Sequence, residues 1–128
     1  MLHSQASAAT TELLLPPVSA ANTAAATTNT SGGYIDVRGY QGELLVEQLT
    51  GAITGSVAGK LQYASDANGT GATDITGATF TNVTAANKCH KVALDPKKVV
   101  GGFLGYVGTV TTGPVLIGVS VAGKKQIV

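Results

Sequence analysis

The chain of 128 residues contains no tryptophan, one cysteine and few charged residues, which make up 12% of the sequence. A single cysteine excludes an internal disulfide and a cysteine-rich zinc cluster, and it suits a protein made in a reducing cytoplasm. The formal net charge of +1 gives no basic surface of the kind that nucleic acid or an anionic membrane attracts. We therefore expect neither of those partners, and recognition by shape and backbone groups instead.

Long apolar runs are also missing. The run Leu13, Leu14, Leu15 stops at Pro16 and Pro17, far short of the ~18–20 apolar residues of a membrane-spanning helix. No basic segment followed by a long apolar run marks a secretion signal. The sequence predicts a soluble chain of one ordinary domain. Much of the 44% hydrophobic content is alanine, so the core must be built mainly from Val, Leu and Ile.

The first 33 residues differ in amino-acid composition from the rest. No charge lies between Glu12 and Asp36, and residues 19–33 are almost entirely Ala, Thr, Asn, Ser and Gly. This composition shows neither the helical nor the strand periodicity of a packed element. We predict an extended N-terminal arm over residues 1–33. It is either a mobile tail or an arm that becomes ordered against a neighbouring subunit, with the three leucines as its apolar anchor.

Residues 34–128 read as the folded domain. Short apolar or alternating runs are separated by Gly, Asn, Asp and Pro at the spacing of ~8–12 residues that is typical of sandwiches and barrels. Helix formers are scarce, because Gly, Thr and Val dominate. The pattern predicts an all-β protein, an antiparallel jelly-roll-like β-sandwich. Its predicted strands cover residues 34–38, 43–49, 57–64, 79–83, 88–94, 103–111 and 115–121.

Candidates for catalysis are few. His3, Cys89 and His90 are the residues whose chemistry is most often used near neutral pH. Cys89 and His90 are adjacent on a predicted strand, so their side chains should point to opposite faces and cannot form a nucleophile–base pair. We therefore predict that the protein is not an enzyme.

Candidate sites for ligands are equally weak. The loop around Asp66 suggests calcium, yet it lacks the repeated carboxylates of a calcium-binding loop and is better read as a turn. The glycine-rich segments at 51–56 and 101–102 do not match a phosphate-binding loop. We expect no metal and no cofactor.

An ordered series of motifs covers residues 34–121. It consists of Gly39-Tyr40-Gln41-Gly42, Gly51-Ala52-Ile53-Thr54-Gly55, Lys60-Leu61-Gln62-Tyr63-Ala64-Ser65-Asp66, the segment 74–83 and Thr109-Val110-Thr111-Thr112-Gly113-Pro114. The series resembles the small virion proteins encoded beside the major capsid protein of tailed bacteriophages. The likeness is to the jelly-roll cement, or decoration, proteins that sit as trimers on the outside of the head.

The resemblance implies a structural virion protein that binds the outer surface of the phage head and stabilises the capsid lattice. Its expected partners are the major capsid protein and further copies of itself, as a homotrimer, after synthesis in the bacterial cytoplasm. It implies no catalytic residues. We expect the arm and the loop at 51–56 to contact the capsid or neighbouring subunits, through Leu13, Leu14, Leu15, Pro16, Pro17, Ile53 and Thr54.

The alternative is a binding module, such as a domain of a phage tail or fibre, or a β-sandwich that binds carbohydrate or a receptor. Sugar sites usually present exposed aromatic side chains. Without tryptophan, the chain offers only Tyr34, Tyr40, Tyr63 and Tyr106 for this purpose, which favours the structural interpretation. A hydrolytic enzyme is the weakest alternative because the required constellation of residues is missing.

Overall fold

A computed structural model describes residues 9–20, 27–31 and 33–125 of the chain. Over these residues the protein is built of nine strands, and a 3₁₀ helix at Pro96–Lys98 is the one helical segment. The strands are β1 Ala9–Ala20, β2 Thr27–Ser31, β3 Ile35–Asp36, β4 Tyr40–Ile53, β5 Ser56–Ala64, β6 Thr73–Thr79, β7 Lys88–Leu94, β8 Phe103–Thr111 and β9 Val115–Lys125.

The strands form two antiparallel sheets that pack face to face. The first sheet has the order β1-β9-β4-β7, and the second has the order β2-β8-β5-β6, with β3 also paired to β8. Because β2 and β3 pair with successive parts of β8, they fill one strand position between them. Eight positions in two four-stranded sheets, with most connections passing from one sheet to the other, make a jelly roll. The predicted fold class is confirmed.

The predicted strands lie within or close to observed ones except near residue 80, although β4 and β9 are longer than the predicted 43–49 and 115–121. The predicted strands 88–94 and 103–111 coincide with β7 and β8. The strand predicted at 79–83 is instead β6 at Thr73–Thr79, and beyond it Val83 makes only an isolated bridge to Val57. Phe80 and Val83 are buried, so their apolar character marked a stretch of core and not the strand itself.

The residues predicted as an arm contribute to both sheets. Residues 9–20 are extended, as expected, but they pair along β9, and residues 27–31 pair along β8. The predicted boundary at residues 33 and 34 therefore falls between β2 and β3, two strands of the same sheet. Pairing on β9 is irregular around Pro16 and Pro17, because proline cannot donate a backbone hydrogen bond and is tolerated mainly at sheet edges.

The core lies between the sheets and follows the strand alternation. Leu44 and Val46 of β4 point inward toward Leu61 of β5 and Tyr106 of β8, and all four are fully buried. Gln48 is a polar exception, buried among them, and its Oε1 accepts a hydrogen bond from the Tyr106 hydroxyl. Burial of each large apolar side chain stabilises the fold by about 1.5–3 kcal/mol.

Candidate functional site

The described turns at one end of the sandwich carry no charge. β1, β4 and β8 end there, and β2, β5, β7 and β9 begin there, as their registers show. Its described connecting segments are residues 51–55, 80–87 and 112–114, which contain no Asp, Glu, Lys or Arg. We call these three segments the uncharged end. Together these three charge-free segments present hydroxyl, amide, methyl and backbone groups, and exposed Lys88 begins β7 directly after residue 87.

The opposite end holds much of the charge. The β3–β4, β5–β6 and β7–β8 connections carry Arg38, Asp66, Asp95, Lys97 and Lys98. We call residues 36–39, 65–72 and 95–102 the charged end. Within it Arg38 pairs with Asp36 at 2.8 Å, on exposed side chains, and such pairs contribute little to stability in water. The turns at the two ends of the sandwich thus differ in charge.

Backbone hydrogen bonds link the turns of the uncharged end to one another. The amide of Thr54 donates to the carbonyl of Pro114 at 2.9 Å, and the amide of Asn87 donates to the carbonyl of Gly51 at 3.1 Å. Gly55 adopts φ +80°, where a Cβ would lie 1.9 Å from the Thr112 carbonyl oxygen. Only glycine fits this close approach without displacement of the backbone. The uncharged end is therefore a connected surface and not a set of independent loops.

Exposed apolar side chains concentrate on the outside of the β1-β9-β4-β7 sheet. Of the five large apolar side chains that are exposed among the described residues, Leu13, Val18, Leu49 and Leu116 lie on this sheet and are 41–54% exposed. Val18, Leu49 and Leu116 line a shallow groove of about 400 Å³. A second groove of about 310 Å³ shares Leu116 and reaches Ile53 and Thr54 at the uncharged end. We call the outer side of this sheet the apolar face.

The outer side of the other sheet is polar. The Tyr34 hydroxyl donates to Gln62 Oε1 at 2.7 Å, Gln62 Nε2 donates to Asp74 Oδ1 at 2.7 Å, and Lys60 Nζ lies 3.1 Å from Asp74 Oδ2. Hydrogen bonds from Gln62 and from Lys60 hold the pKa of Asp74 below its usual value. Burial raises the pKa of Tyr34, and the nearby carboxylate of Asp74 raises it further. Among the described side chains, the two outer faces thus differ in polarity.

The structure separates the predicted contact residues into two groups. Leu14 and Leu15 are 1% and 5% exposed and lie in the core of this chain, so they are not available to a partner as predicted. The backbone irregularity between Leu13 and Leu15 turns two consecutive leucines inward. Leu13, Pro16, Pro17 and Thr54 are exposed, and Ile53 is partly buried against the core.

The sequence did not single out Val18, Leu49 or Leu116 as contact residues. Leu49 and Leu116 each lie between two buried residues, and only the register of the pairing decides which member of such a run faces outward. Leu49 and Leu116 occupy outward positions on β4 and β9. The sequence signal that could have identified them was an apolar residue at a strand position where the alternation predicts a solvent-facing polar residue.

Cys89 and His90 show no catalytic arrangement. They are consecutive on β7, where Cys89 is paired in register with Leu49 and His90 with Gln48, so they lie on opposite faces. Cys89 Sγ lies 3.6 Å from Glu47 Oε2. Partial desolvation raises the pKa of the Cys89 thiol, and the Glu47 carboxylate raises it further, which is the reverse of activation. His3 lies outside the described residues.

The Asp66 loop is a self-contained turn. The Asp66 carboxylate accepts hydrogen bonds from the Thr70 hydroxyl at 2.6 Å and from the amides of Asn68 and Thr70 at 2.9 and 3.1 Å. These bonds, led by that of the Thr70 hydroxyl, lower the pKa of Asp66. Within residues 9–20, 27–31 and 33–125, no group of three or more His, Cys, Asp or Glu side chains is placed to hold a metal ion.

Comparisons of the chain with models of protein families, with curated proteins and with solved structures found no match. In the part of the chain that the structure describes, no helix has the length and apolar character needed to cross a membrane.

Proposed function

We propose that this chain is a cement, or decoration, protein of a tailed bacteriophage, which binds the outside of the head as an oligomer and stabilises the capsid lattice. The observation that carries the proposal is the set of charge-free turns at one end of the sandwich, opposite turns that carry charge. The ordered motifs of residues 34–121, which resemble those of jelly-roll cement proteins, support the same function.

Turns without charge are suited to docking because removing water from them costs little free energy. Charged residues are depleted from the cores of protein interfaces, since an unpaired charge is costly to desolvate. The turns of the uncharged end are held by backbone hydrogen bonds, so little flexibility is lost on binding. The charged end, with Asp66, Lys97 and Lys98 exposed or half-buried, then faces solvent and keeps the decorated particle soluble.

Stabilisation of the shell follows from binding the assembled lattice in preference to free capsid subunits. A ligand that binds only the assembled state shifts the equilibrium toward it by mass action. A specific contact buries on the order of 1,000 Å² or more in total. An oligomer makes several such contacts at once, so it is released only when linked contacts break together.

A charge-insertion experiment tests the docking end. Thr54→Asp places one negative charge in the exposed β4–β5 turn of the uncharged end, and Asn68→Asp places the same charge in the exposed β5–β6 loop of the charged end. We expect T54D to weaken binding to heads stripped of this protein by at least tenfold in a sedimentation assay, and N68D to bind like the unaltered protein. Equal binding by all three proteins would contradict docking through the uncharged end.

A further inference from the structure

The β5–β6 connection contains an Asn-Gly pair that the proposed function does not use. Asn68 and Gly69 lie within residues 65–72, and the Asn68 side chain is exposed. An asparagine in this position is intrinsically reactive, because the backbone nitrogen of the next residue can attack its side-chain amide carbon. A following glycine hinders that attack least, since it has no side chain and the widest choice of backbone angles.

We propose that Asn68 is a site of spontaneous deamidation, and that the turn held by the Asp66 carboxylate sets the rate of the reaction. In the first step the Gly69 nitrogen forms a bond to Cγ of Asn68, and the side-chain nitrogen leaves as ammonia with the proton that Gly69 gives up. Water then opens the resulting succinimide ring at either of its carbonyl groups. The products are aspartate and isoaspartate at position 68, and the reaction consumes only water.

The loop opposes ring closure through the Gly69 amide. The Gly69 N–H donates to the Asp66 carbonyl at 3.2 Å, which closes a β-turn over residues 66–69. Ring closure replaces the hydrogen of this donor with a carbon, so the turn must open before the nitrogen reacts. The amide of Ala72 donates to the Gly69 carbonyl at 3.1 Å, and this second turn holds Gly69 from its other side.

The Asp66 carboxylate holds the first turn closed. Its Oδ1 accepts hydrogen bonds from the amides of Asn68 and Thr70 at 2.9 and 3.1 Å, and its Oδ2 accepts one from the Thr70 hydroxyl at 2.6 Å. One side chain thus fixes the backbone on both sides of Gly69. Hydrogen bonds to an ionised acceptor are stronger than neutral ones. The same bonds lower the pKa of Asp66, so the carboxylate is ionised at neutral pH.

The Tyr34 ring holds the loop against the second sheet. A Cβ at Gly69 would lie 2.7 Å from Tyr34 Cε1, and a Cβ at Gly105 of β8 would overlap the other edge of the same ring. The ring is therefore packed between the loop and β8. The Tyr34 hydroxyl donates to Gln62 Oε1 at 2.7 Å, which fixes the ring to β5. The Asn-Gly pair thus reacts when this loop opens, a local motion that does not require global unfolding.

Deamidation changes the charge balance of the chain. One negative charge added to the formal net charge of +1 leaves a net charge of zero. Proteins with a net charge near zero associate more readily than charged ones. Isoaspartate also adds a methylene group to the backbone inside the turn, so the three hydrogen bonds of Asp66 cannot all persist. The deamidated chain is therefore neutral overall and altered in this loop.

Asn82 provides a comparison within the same chain. Asn82 is exposed, as Asn68 is, but it precedes Val83, which is buried. The branched side chain of Val83 crowds its own nitrogen, and its amide donates to the Val57 carbonyl at 2.9 Å. We therefore expect little reaction at Asn82 over a period in which Asn68 is converted.

The test follows the conversion of amide to acid by mass spectrometry. The purified protein is incubated at mildly alkaline pH in heavy-oxygen water, which marks conversion during incubation and distinguishes it from conversion during digestion. Tryptic peptide 61–88 contains both Asn68 and Asn82, and its fragmentation shows which of them is converted. We expect conversion at Asn68 alone, at least tenfold slower in the folded protein than in the chain unfolded by guanidinium chloride.

Asp66→Ala removes the acceptor that holds the turn. Asp95→Ala is the matched control, because Asp95 Oδ1 accepts from the Lys97 amide at 3.0 Å in another turn of the charged end. We expect D66A, with an unchanged circular dichroism spectrum, to convert Asn68 at least fivefold faster than the unaltered protein, and D95A to convert it at the unaltered rate. Thr70→Val removes only the hydroxyl and should give an intermediate rate.

Three results would overturn the inference. The first is an equal rate at Asn68 in the folded protein, in D66A and in the unfolded chain, because the turn would then have no control over the reaction. The second is conversion of Asn82 as fast as that of Asn68 in the folded protein. The third is the absence of conversion at Asn68 in the unfolded chain.

Discussion

The buried pair of Gln48 and Tyr106 allows a prediction of stability worked directly from the structure. Both side chains are fully buried between the sheets, and the Tyr106 hydroxyl donates to Gln48 Oε1 at 2.5 Å. Among the described residues, no group accepts a hydrogen bond from Gln48 Nε2. Gly59 makes room for the pair, since a Cβ there would lie 2.3 Å from Gln48 Oε1.

Tyr106→Phe keeps the ring, with its edge contact to Phe80 at 5.8 Å between ring centres, and removes only the hydroxyl. The change leaves the Gln48 amide buried without its partner, which costs about 1–3 kcal/mol. Gln48→Leu leaves the Tyr106 hydroxyl unpaired at a similar cost. The double variant removes both polar groups, so we expect its loss of stability to be well below the sum of the two single losses.

The assay is urea unfolding followed by far-ultraviolet circular dichroism, because the chain has no tryptophan. For a slope of ~1–3 kcal/mol per molar urea, the midpoint of either single variant should fall by roughly 0.3–3 M. An unchanged midpoint for Y106F, or losses in the double variant that simply add, would show that the two groups do not depend on one another as the structure indicates.

Three further predictions test particular contacts. In the same urea assay, Leu14→Ala should lower the free energy of unfolding by about 2–5 kcal/mol, because Leu14 is buried. Leu13 is exposed, so Leu13→Ala should lower it by less than ~1 kcal/mol. Equal effects of the two variants would refute the placement of β1 in the sandwich. Gly55→Ala should lower the free energy of unfolding by roughly 1–3 kcal/mol, through backbone strain and the contact of its Cβ with Thr112. At Gly39 a Cβ would meet no other atom and φ lies outside the left-handed range, so Gly39→Ala should unfold like the unaltered protein. An equal loss for both variants would contradict the turn geometry. Burial, and then Glu12, raise the pKa of Tyr40 from 10.0 to about 12. The neutral phenol therefore stabilises the fold below pH 10, and this stability is lost as the pH rises toward 12. The urea midpoint should fall less steeply over that pH range in Tyr40→Phe than in the unaltered protein, and identical pH profiles would disprove the linkage.

Much of the fold could be predicted because the sandwich domain has short apolar strands punctuated by turn residues. The alternation of Leu61 and Tyr63 with polar neighbours, for example, marks β5 as a half-buried strand, and β7 and β8 coincide with their predicted ranges. β2 could not be predicted, because Thr27–Ser31 has no apolar pattern and gains its stability from pairing with β8. Pairing between strands that are distant in sequence is a long-range property that local composition does not encode.

The candidate site was harder to predict than the fold. Leu13, Leu14 and Leu15 look equivalent in sequence, yet the register change on β9 buries two of them and exposes the other. The loop at 51–56 was predicted as a contact, and it does lie at the uncharged end. The separation of charge itself could be seen only after the topology had brought the segments 51–55, 80–87 and 112–114 together.

The temperature at which phage heads release their DNA tests the central claim most directly. Heads that carry this protein and heads from which it has been stripped are heated side by side, and DNA release is followed with a dye that does not enter intact heads. The account predicts release at a lower temperature from stripped heads, and recovery when the purified protein is added back. Release at the same temperature with and without the protein would contradict a stabilising role on the capsid.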